Sequence, residues 1–463
     1  MKERDETAPR TEVRGMDRRG PSRGLQSADR ASTSDLERLL GRLTPAVARA
    51  IDAALSGDDL SIDDAVALFD CTGVDMQALV LAADDLRRQQ VGDVVTYVVN
   101  RNINFTNVCI KRCGFCAFSR DHRMEEGYLL PVEEIVRRAK EAWELGATEV
   151  CIQAGLPPKM EGDLYERLCR TLKAEMPDLH IHGFSPEEVL YGSVRSQCSI
   201  PEFVRRLKDA GVGSLPGTSA EILVQEVRDI ISPGRITVDQ WVEVITSAHE
   251  AGVPTTSTIM YGHVETSEHK ARHLSLLRDI QKRTGGITEF VPLSFVHSEA
   301  PMYQKGLIEG IRSGAGGAEI FKMYAVSRLF LGRYIKNLQV SWVKEGLRFG
   351  QMLLNAGAND LGGTLINESI STAAGASHGQ LVRPAQFREM IREMGRVPAE
   401  RTTGYALRHV FDDPANDPVD ALDTVEYDEK RFGTYNVLLQ LEDWRFKDTF
   451  TPVGGQSAKN VEA

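Results

Sequence analysis

The sequence predicts an α/β protein, a (β/α) barrel that is full or partial, with an N-terminal helical layer and a C-terminal extension. Three observations predict it. Eight short β-rich runs alternate with amphipathic helical stretches between residues 94 and 363, the pattern of a parallel sheet with its helices outside. Helix-entry and helix-exit residues punctuate the alternation. A cluster of three cysteines falls just after the first run, on the side where barrels of this kind carry their chemistry.

Residues 1–35 mix both charge signs with Gly, Pro and Ser and hold almost no apolar side chains, so they cannot offset the entropy of ordering and read as a disordered tail, with Met16 an alternative start. Residues 36–90 read as a helical segment. It opens on "DLERLLGRL", continues with Thr44 and Pro45 as an entry pair, and then shows Ser61 with Asp64 as a capping box. Residues 91–390 carry the barrel. Its runs are "VVTYVVNRNINF", "TEVCIQAG", "LHIHGFS", "VGSLPG", "VPTTSTIMYG", "ITEFVPLSF", "LQVSW" and "ANDLGG".

Between the runs lie helices such as "PVEEIVRRAKEAWELG", where Val132, Ile135, Val136, Ala139 and Trp143 recur at helical spacing. Another, "TVDQWVEVITSAHEAG", enters on Thr237 and leaves on Gly252. The last two runs are weak, so a partial barrel of six units fits nearly as well. Residues 391–463 form the C-terminal extension, whose acidic stretch "FDDPANDPVDALDTVEYDE" reads as a solvated surface segment.

Bulk properties narrow the function classes. A net charge of −11 leaves no general basic face for nucleic acid or an anionic membrane. No stretch approaches a membrane span, and the start has no apolar core of a secretory signal, so the expected location is the cytoplasm. Seven cysteines, an odd number with one tight cluster, fit reduced thiols and a metal site better than a disulfide framework.

The cluster is Cys109, Cys113 and Cys116, spaced C-x3-C-x2-C in "NINFTNVCIKRCGFCAFSR". Three thiolates from one short loop can hold three corners of an iron–sulfur cubane and leave the fourth iron open for a substrate. Two other readings stand beside this one. A structural zinc would need a fourth ligand, for which His122 is in reach, and three unligated buried thiols are the blandest case. Cys71, Cys151, Cys169 and Cys198 lie singly and read as packing residues.

With Phe115 before the third cysteine and the first strand ahead of the loop, this stretch resembles the radical S-adenosylmethionine (SAM) superfamily. The resemblance widens with "IQAGLPP", "HIHGFSPEEV", "LPGTSAEIL", "PTTSTIMYGHVET", "FVPLSFVHSEAPMY" and "NDLGGTLINESISTAAGASHGQ". Together these are similar to the FO synthase subunit 2 family, tyrosine-dependent transferases of deazaflavin coenzyme biosynthesis. The resemblance covers residues from about 100 to 380, and a departure from it is "QAG" at Gln153 to Gly155, where many relatives carry two glycines.

By that resemblance Cys109, Cys113 and Cys116 hold a [4Fe-4S] cluster whose open iron binds SAM. It implies that Phe115 packs near the SAM adenine, that Gln153 and Gly155 line the methionine end, and that Ser185, Glu188 and Glu221 meet the ribose or amino group. Glu188 reads equally as a helix cap and Glu221 as a partner of a helix dipole. His263, Glu265, His297 and Glu299 follow strands and are candidates for catalysis, each also readable as a supporting or surface group.

The implied reaction joins the 4-hydroxybenzyl part of L-tyrosine to 5-amino-6-(D-ribitylamino)uracil, with an electron donor and a second FO synthase subunit as further partners. Arg235 and Arg272 are candidates for the tyrosine carboxylate. Aminofutalosine synthase of the menaquinone pathway is the alternative within the same chemistry. A non-catalytic zinc-stabilised barrel is the alternative outside it.

Overall fold

The computed structural model describes residues 41–121 and 126–447. The expected tail, most of "DLERLLGRL" and His122 lie outside them. Thr44 is extended ahead of Pro45, which opens the helix Pro45–Ser56, and Gly57 closes it in the left-handed region at φ 85°. Ser61 and Asp64 form a reciprocal capping box on Ile62–Asp70. With Gly73–Val91, these helices pack outside the barrel against Ser267–Thr284 and Gly317–Leu331.

The first barrel strand comes in two pieces, β1 (Val94–Val98) and β2 (Asn100–Ile103). Then come β3 (Glu149–Ile152), β4 (His180–Gly183), β5 (Thr255–Tyr261), β6 (Ile287–Ser294), β7 (Asn337–Leu338) and β8 (Asp360–Gly363). The run "VGSLPG" gives no full strand. It does give two parallel bridges, His182 to Ser214 and Leu215 to Thr255, which join β4 to β5. A bridge from Gln339 to Asp360 links the seventh and eighth runs, β1 pairs with β8, and Arg101 bridges Ile366. All eight expected runs therefore meet in one closed parallel ring, and each is followed by at least one helix.

The C-terminal extension changes how the ring closes. β1 pairs along Val94 to Tyr97 with β9 (Val397–Arg401), while β2 pairs with β3. The first strand thus changes neighbour halfway, and β9 is wedged in at the bottom. β10 (Leu407–Val410) runs antiparallel on its outer edge.

The acidic stretch is not merely solvated. Asp417 and Asp420 pair with Arg388 and Arg392 of the helix Pro384–Glu393, and Asp428 with Arg383 just ahead of it, with Asp420 at 2.5 Å from Arg388 and Asp417 at 2.6 Å from Arg392. Arg388, only 3% exposed, also lies over the ring of Phe411. The acids are thus spent on arginines some 30 positions upstream, a match that a local reading of charge cannot see. No single helix among the described residues is long and apolar enough to cross a membrane.

Candidate active site

The cysteine loop leaves β2 and is tied down on three sides by main-chain bonds. Cys109 N–H donates to Arg120 O at 3.0 Å, Ile110 N–H to Leu156 O at 2.9 Å, and Gly114 N–H to Ile231 O at 3.0 Å. Gly155 explains how close the next loop comes. A Cβ there would stand 2.3 Å from Val108 O, so only glycine lets the β3 loop lie against the cysteine loop.

Cys109, Cys113 and Cys116 are free thiols and all three line one cavity of about 330 Å³ at the strand ends. Burial pushes the Cys109 thiol up and the Cys113 thiol up to about 12, against the pull of the Arg235 guanidinium. Uptake of a soft metal group would displace those protons. No three His, Cys, Asp or Glu side chains among the described residues converge on a single-ion site. Three soft donors on the lining of one cavity are the donor set that a thiolate-held iron–sulfur cluster takes.

The same cavity collects the residues named from sequence. Phe115, Gln153, Gly155, Ser185, Glu188 and Glu221 all line the same cavity. Glu188 is the capping partner of Ser185 on the helix Pro186–Arg195 and also accepts from Ala154 N–H at 2.9 Å. Burial lifts its carboxyl to about 7, so both roles, cap and cavity wall, belong to one group. Gln153 accepts from Thr218 Oγ at 2.8 Å. Glu221, in the left-handed region at φ 41°, lies ahead of the helix Gln225–Ile231 and receives Arg235 at 2.5 Å. Arg235 also donates to Glu187 at 3.0 Å and to Ser219 at 2.7 Å, and its guanidinium lies 5.7 Å from the Phe115 ring centroid.

The four candidates for catalysis do not reach this cavity. Glu265 accepts from Gly262 N–H and His263 N–H, at 2.8 and 2.9 Å, and pairs with Arg312 at 2.5 Å. His263, fully buried, bonds Met260 O at 3.0 Å and meets the lining residue Phe295 edge-on. This pair shapes the loop after β5 and buttresses the wall. His297 packs edge-on against Tyr303, and Glu299 is exposed. Arg272 is also remote, paired at 2.5 Å with Glu226 on the surface.

Sequence reasoning missed part of the lining. Lys344, just after β7, lines the cavity beside Cys116 and Glu368, and its ammonium forms no hydrogen bond or ion pair with a described side chain. Burial pushes its pKa down while Glu368 and Glu345 push it up. Glu368 is held by Ser371 N–H at 2.8 Å. Phe118, Phe295, Val343 and Ile370 supply apolar surface between them. The available signal was position alone: Lys344 closely follows a barrel strand.

A parallel barrel with three open thiols at its strand ends is the architecture of a radical SAM enzyme, and residues 103–277 match the Radical SAM superfamily. Residues 284–413 match the CofH/MqnC C-terminal region. The chain belongs to the family of 5-amino-6-(D-ribitylamino)uracil–L-tyrosine 4-hydroxyphenyl transferases. It is 49% identical over 348 residues to the member from Methanothermobacter thermautotrophicus, which covers 75% of this chain and 94% of the relative. The member from Methanopyrus kandleri is 47% identical over 369 residues, covering 77% and 99%. Among solved structures, methylornithine synthase shares the fold at a TM-score of 0.57 and 19% identity, over 76% of this chain and 97% of its own.

Proposed function

We propose that this chain transfers the 4-hydroxybenzyl group of L-tyrosine to 5-amino-6-(D-ribitylamino)uracil, on a site that holds a [4Fe-4S] cluster and SAM. The observation that carries the reading is identity near one half across almost the whole length of relatives bearing that activity in their names. The cavity is consistent with it. Cys109, Cys113 and Cys116 would hold the cluster, and Gln153, Gly155, Ser185, Glu188 and Glu221 would surround SAM, with Phe115 near its adenine. When bound, the pair supplies a carbon radical by one-electron cleavage of SAM.

The protein's own task is placement. Lys344, whose ammonium lines the cavity without an ion pair, would take the tyrosine carboxylate, since Arg235 is already spent on Glu187 and Glu221. Phe118, Phe295 and Ile370 would flank the phenol ring and close the site to solvent and side reactions. Holding two substrates and SAM in near-attack geometry can supply on the order of 7–11 kcal/mol of the barrier. Free thiols suit a reducing cytoplasm, where an electron donor and a ring-closing partner enzyme would complete the pathway.

The test is anaerobic reconstitution with iron and sulfide, followed by incubation with SAM, a reductant, tyrosine and the diaminouracil. Expected are 5′-deoxyadenosine and a benzylated uracil in step. Deoxyadenosine that forms with an enolpyruvyl benzoate but yields no uracil adduct would instead identify an aminofutalosine synthase.

A further inference from the structure

A hydrogen-bonded chain crosses the floor of the barrel. Beneath the upper cavity lies a chamber of about 180 Å³ that shares Gln153, Thr258 and Glu368 with it and is lined also by His182. A separate pocket of about 470 Å³, lined by His180, sits at the amino ends of β3 and β4. Its lining residues Gly146, Asp178 and Arg408 are exposed, so it opens to water. Among the described residues the chamber and this pocket share one wall residue, Thr403, which is bonded to Glu149 at 2.6 Å.

His180 and His182 stand two apart on β4 and so point to one side of the strand. Ser214 joins them, its Oγ lying 2.7 Å from His182 Nδ1 and 2.7 Å from His180 Nε2. Space for the lower ring is built in, since a Cβ at Gly213 would stand 2.4 Å from its Cε1. Burial pushes both imidazoles down, His182 to about 4, against the pull of Glu149, while Lys173 acts on His180 and Arg401 on His182 in the same direction as burial. Near pH 7 each ring is therefore neutral, with one donor and one acceptor nitrogen. A serine hydroxyl between two such rings can accept from one while it donates to the other.

We propose that His182, Ser214 and His180 form a proton relay that drains the active cavity to the opposite end of the barrel. The proposal rests on the transferase reading above, whose charge balance demands such an exit. Tyrosine, the diaminouracil and the SAM sulfonium cation become methionine, 5′-deoxyadenosine, an imino acid and a benzylated uracil, each of the four net neutral. The C–S bond of SAM and the Cα–Cβ bond of tyrosine break, and a C–H bond forms on deoxyadenosine and a C–C bond on the uracil. The amine beside that new bond becomes an imine as it gives up its proton, and no electron is consumed overall. One proton per turnover must therefore leave a closed site. Taken up at His182 Nε2, it displaces the Nδ1 proton to Ser214 Oγ, the serine passes its own proton to His180 Nε2, and His180 Nδ1 releases one to the lower pocket.

Rates on the reconstituted enzyme in light and heavy water test the relay, with Ser214→Ala and His180→Ala beside the wild type. Expected in each variant is a kcat lowered at least about tenfold, KM values for tyrosine and SAM within about twofold, and a solvent deuterium isotope effect larger than the wild type's. Imidazole, which fits the lower pocket, should restore most of the rate to His180→Ala, a rescue that a merely structural role would not give. In the metal-free full-length protein, Ser214→Ala should also move the nitrogen-15 ring signals of both histidines. An unchanged kcat and isotope effect in Ser214→Ala, ring signals that stay in place, or a slowed His180→Ala that imidazole does not revive overturns the relay and leaves the transferase standing. A wild-type enzyme that makes no benzylated uracil overturns the transferase reading and the relay with it.

Discussion

Arg401 holds Asp360 in a two-point grip, Nε to Oδ2 at 2.6 Å and Nη2 to Oδ1 at 3.0 Å, with both side chains almost wholly buried. Thr96 Oγ donates to the same carboxylate at 2.5 Å, so the grip pins the wedge strand to the last strand of the ring. Removing one partner leaves the other charged in a low-dielectric floor. Arg401→Met should therefore destabilise the fold by about 3–5 kcal/mol, read from the denaturant midpoint. The double change Arg401→Met with Asp360→Leu should recover part of that loss.

Gly155 carries the second prediction. Any side chain there collides with the Val108 carbonyl, one residue from the first cysteine. Gly155→Ala should leave the far-ultraviolet circular dichroism near that of the wild type yet lower the iron and sulfide retained per chain by more than about half, because the donor loop must move. Full retention would show that the contact does not position the thiols.

Acid stability follows from two buried imidazoles. Burial pushes His182 down to about 4 and His273 down to about 3, and His273 Nδ1 accepts from Leu223 N–H at 2.9 Å, which requires the neutral ring. Their unfolded value is about 6.5, so the unfolded chain binds more protons below that pH. Stability from these groups is fully present above about pH 6.5 and falls toward about pH 4, by up to about 1.4 kcal/mol per pH unit for each. Urea midpoints across this range should show the slope, and His273→Gln should flatten it by about one proton.

Lys344 offers the fourth. If its ammonium takes the amino-acid carboxylate, Lys344→Met should raise the KM for tyrosine at least about tenfold and leave the KM for SAM within about twofold. Tyramine, which lacks the carboxylate, should then be used almost equally by wild type and variant. An increase confined to the KM for SAM would place Lys344 on the cosubstrate instead.

Much of this was legible in the sequence because it is local. Capping pairs such as Ser61 with Asp64 and Thr237 with Gln240 are three residues apart, and the cysteine trio spans a single loop. Strand runs also announce themselves, even "LQVSW" and "ANDLGG", whose ladders are short. What stayed hidden depends on distance along the chain. Nothing near Arg401 says that it meets Asp360, and nothing near Lys344 says that its neighbours leave it uncommitted. His263 and Glu265 show how position alone leaves a role open, since a histidine and a glutamate after a barrel strand read either as catalytic or as supporting groups, and here both bond the main chain of their own loop.

Because β9 supplies the guanidinium that balances the barrel floor, a nascent chain released from the ribosome only as far as β8 carries an acidic hole where its base should be. Glu149, Glu289 and Asp360 then face one another without the Arg401 countercharge until β9 emerges. The wedge strand is thus the keystone of vectorial assembly, and a polypeptide shortened before residue 397 should leave the barrel floor open and lose cooperative unfolding.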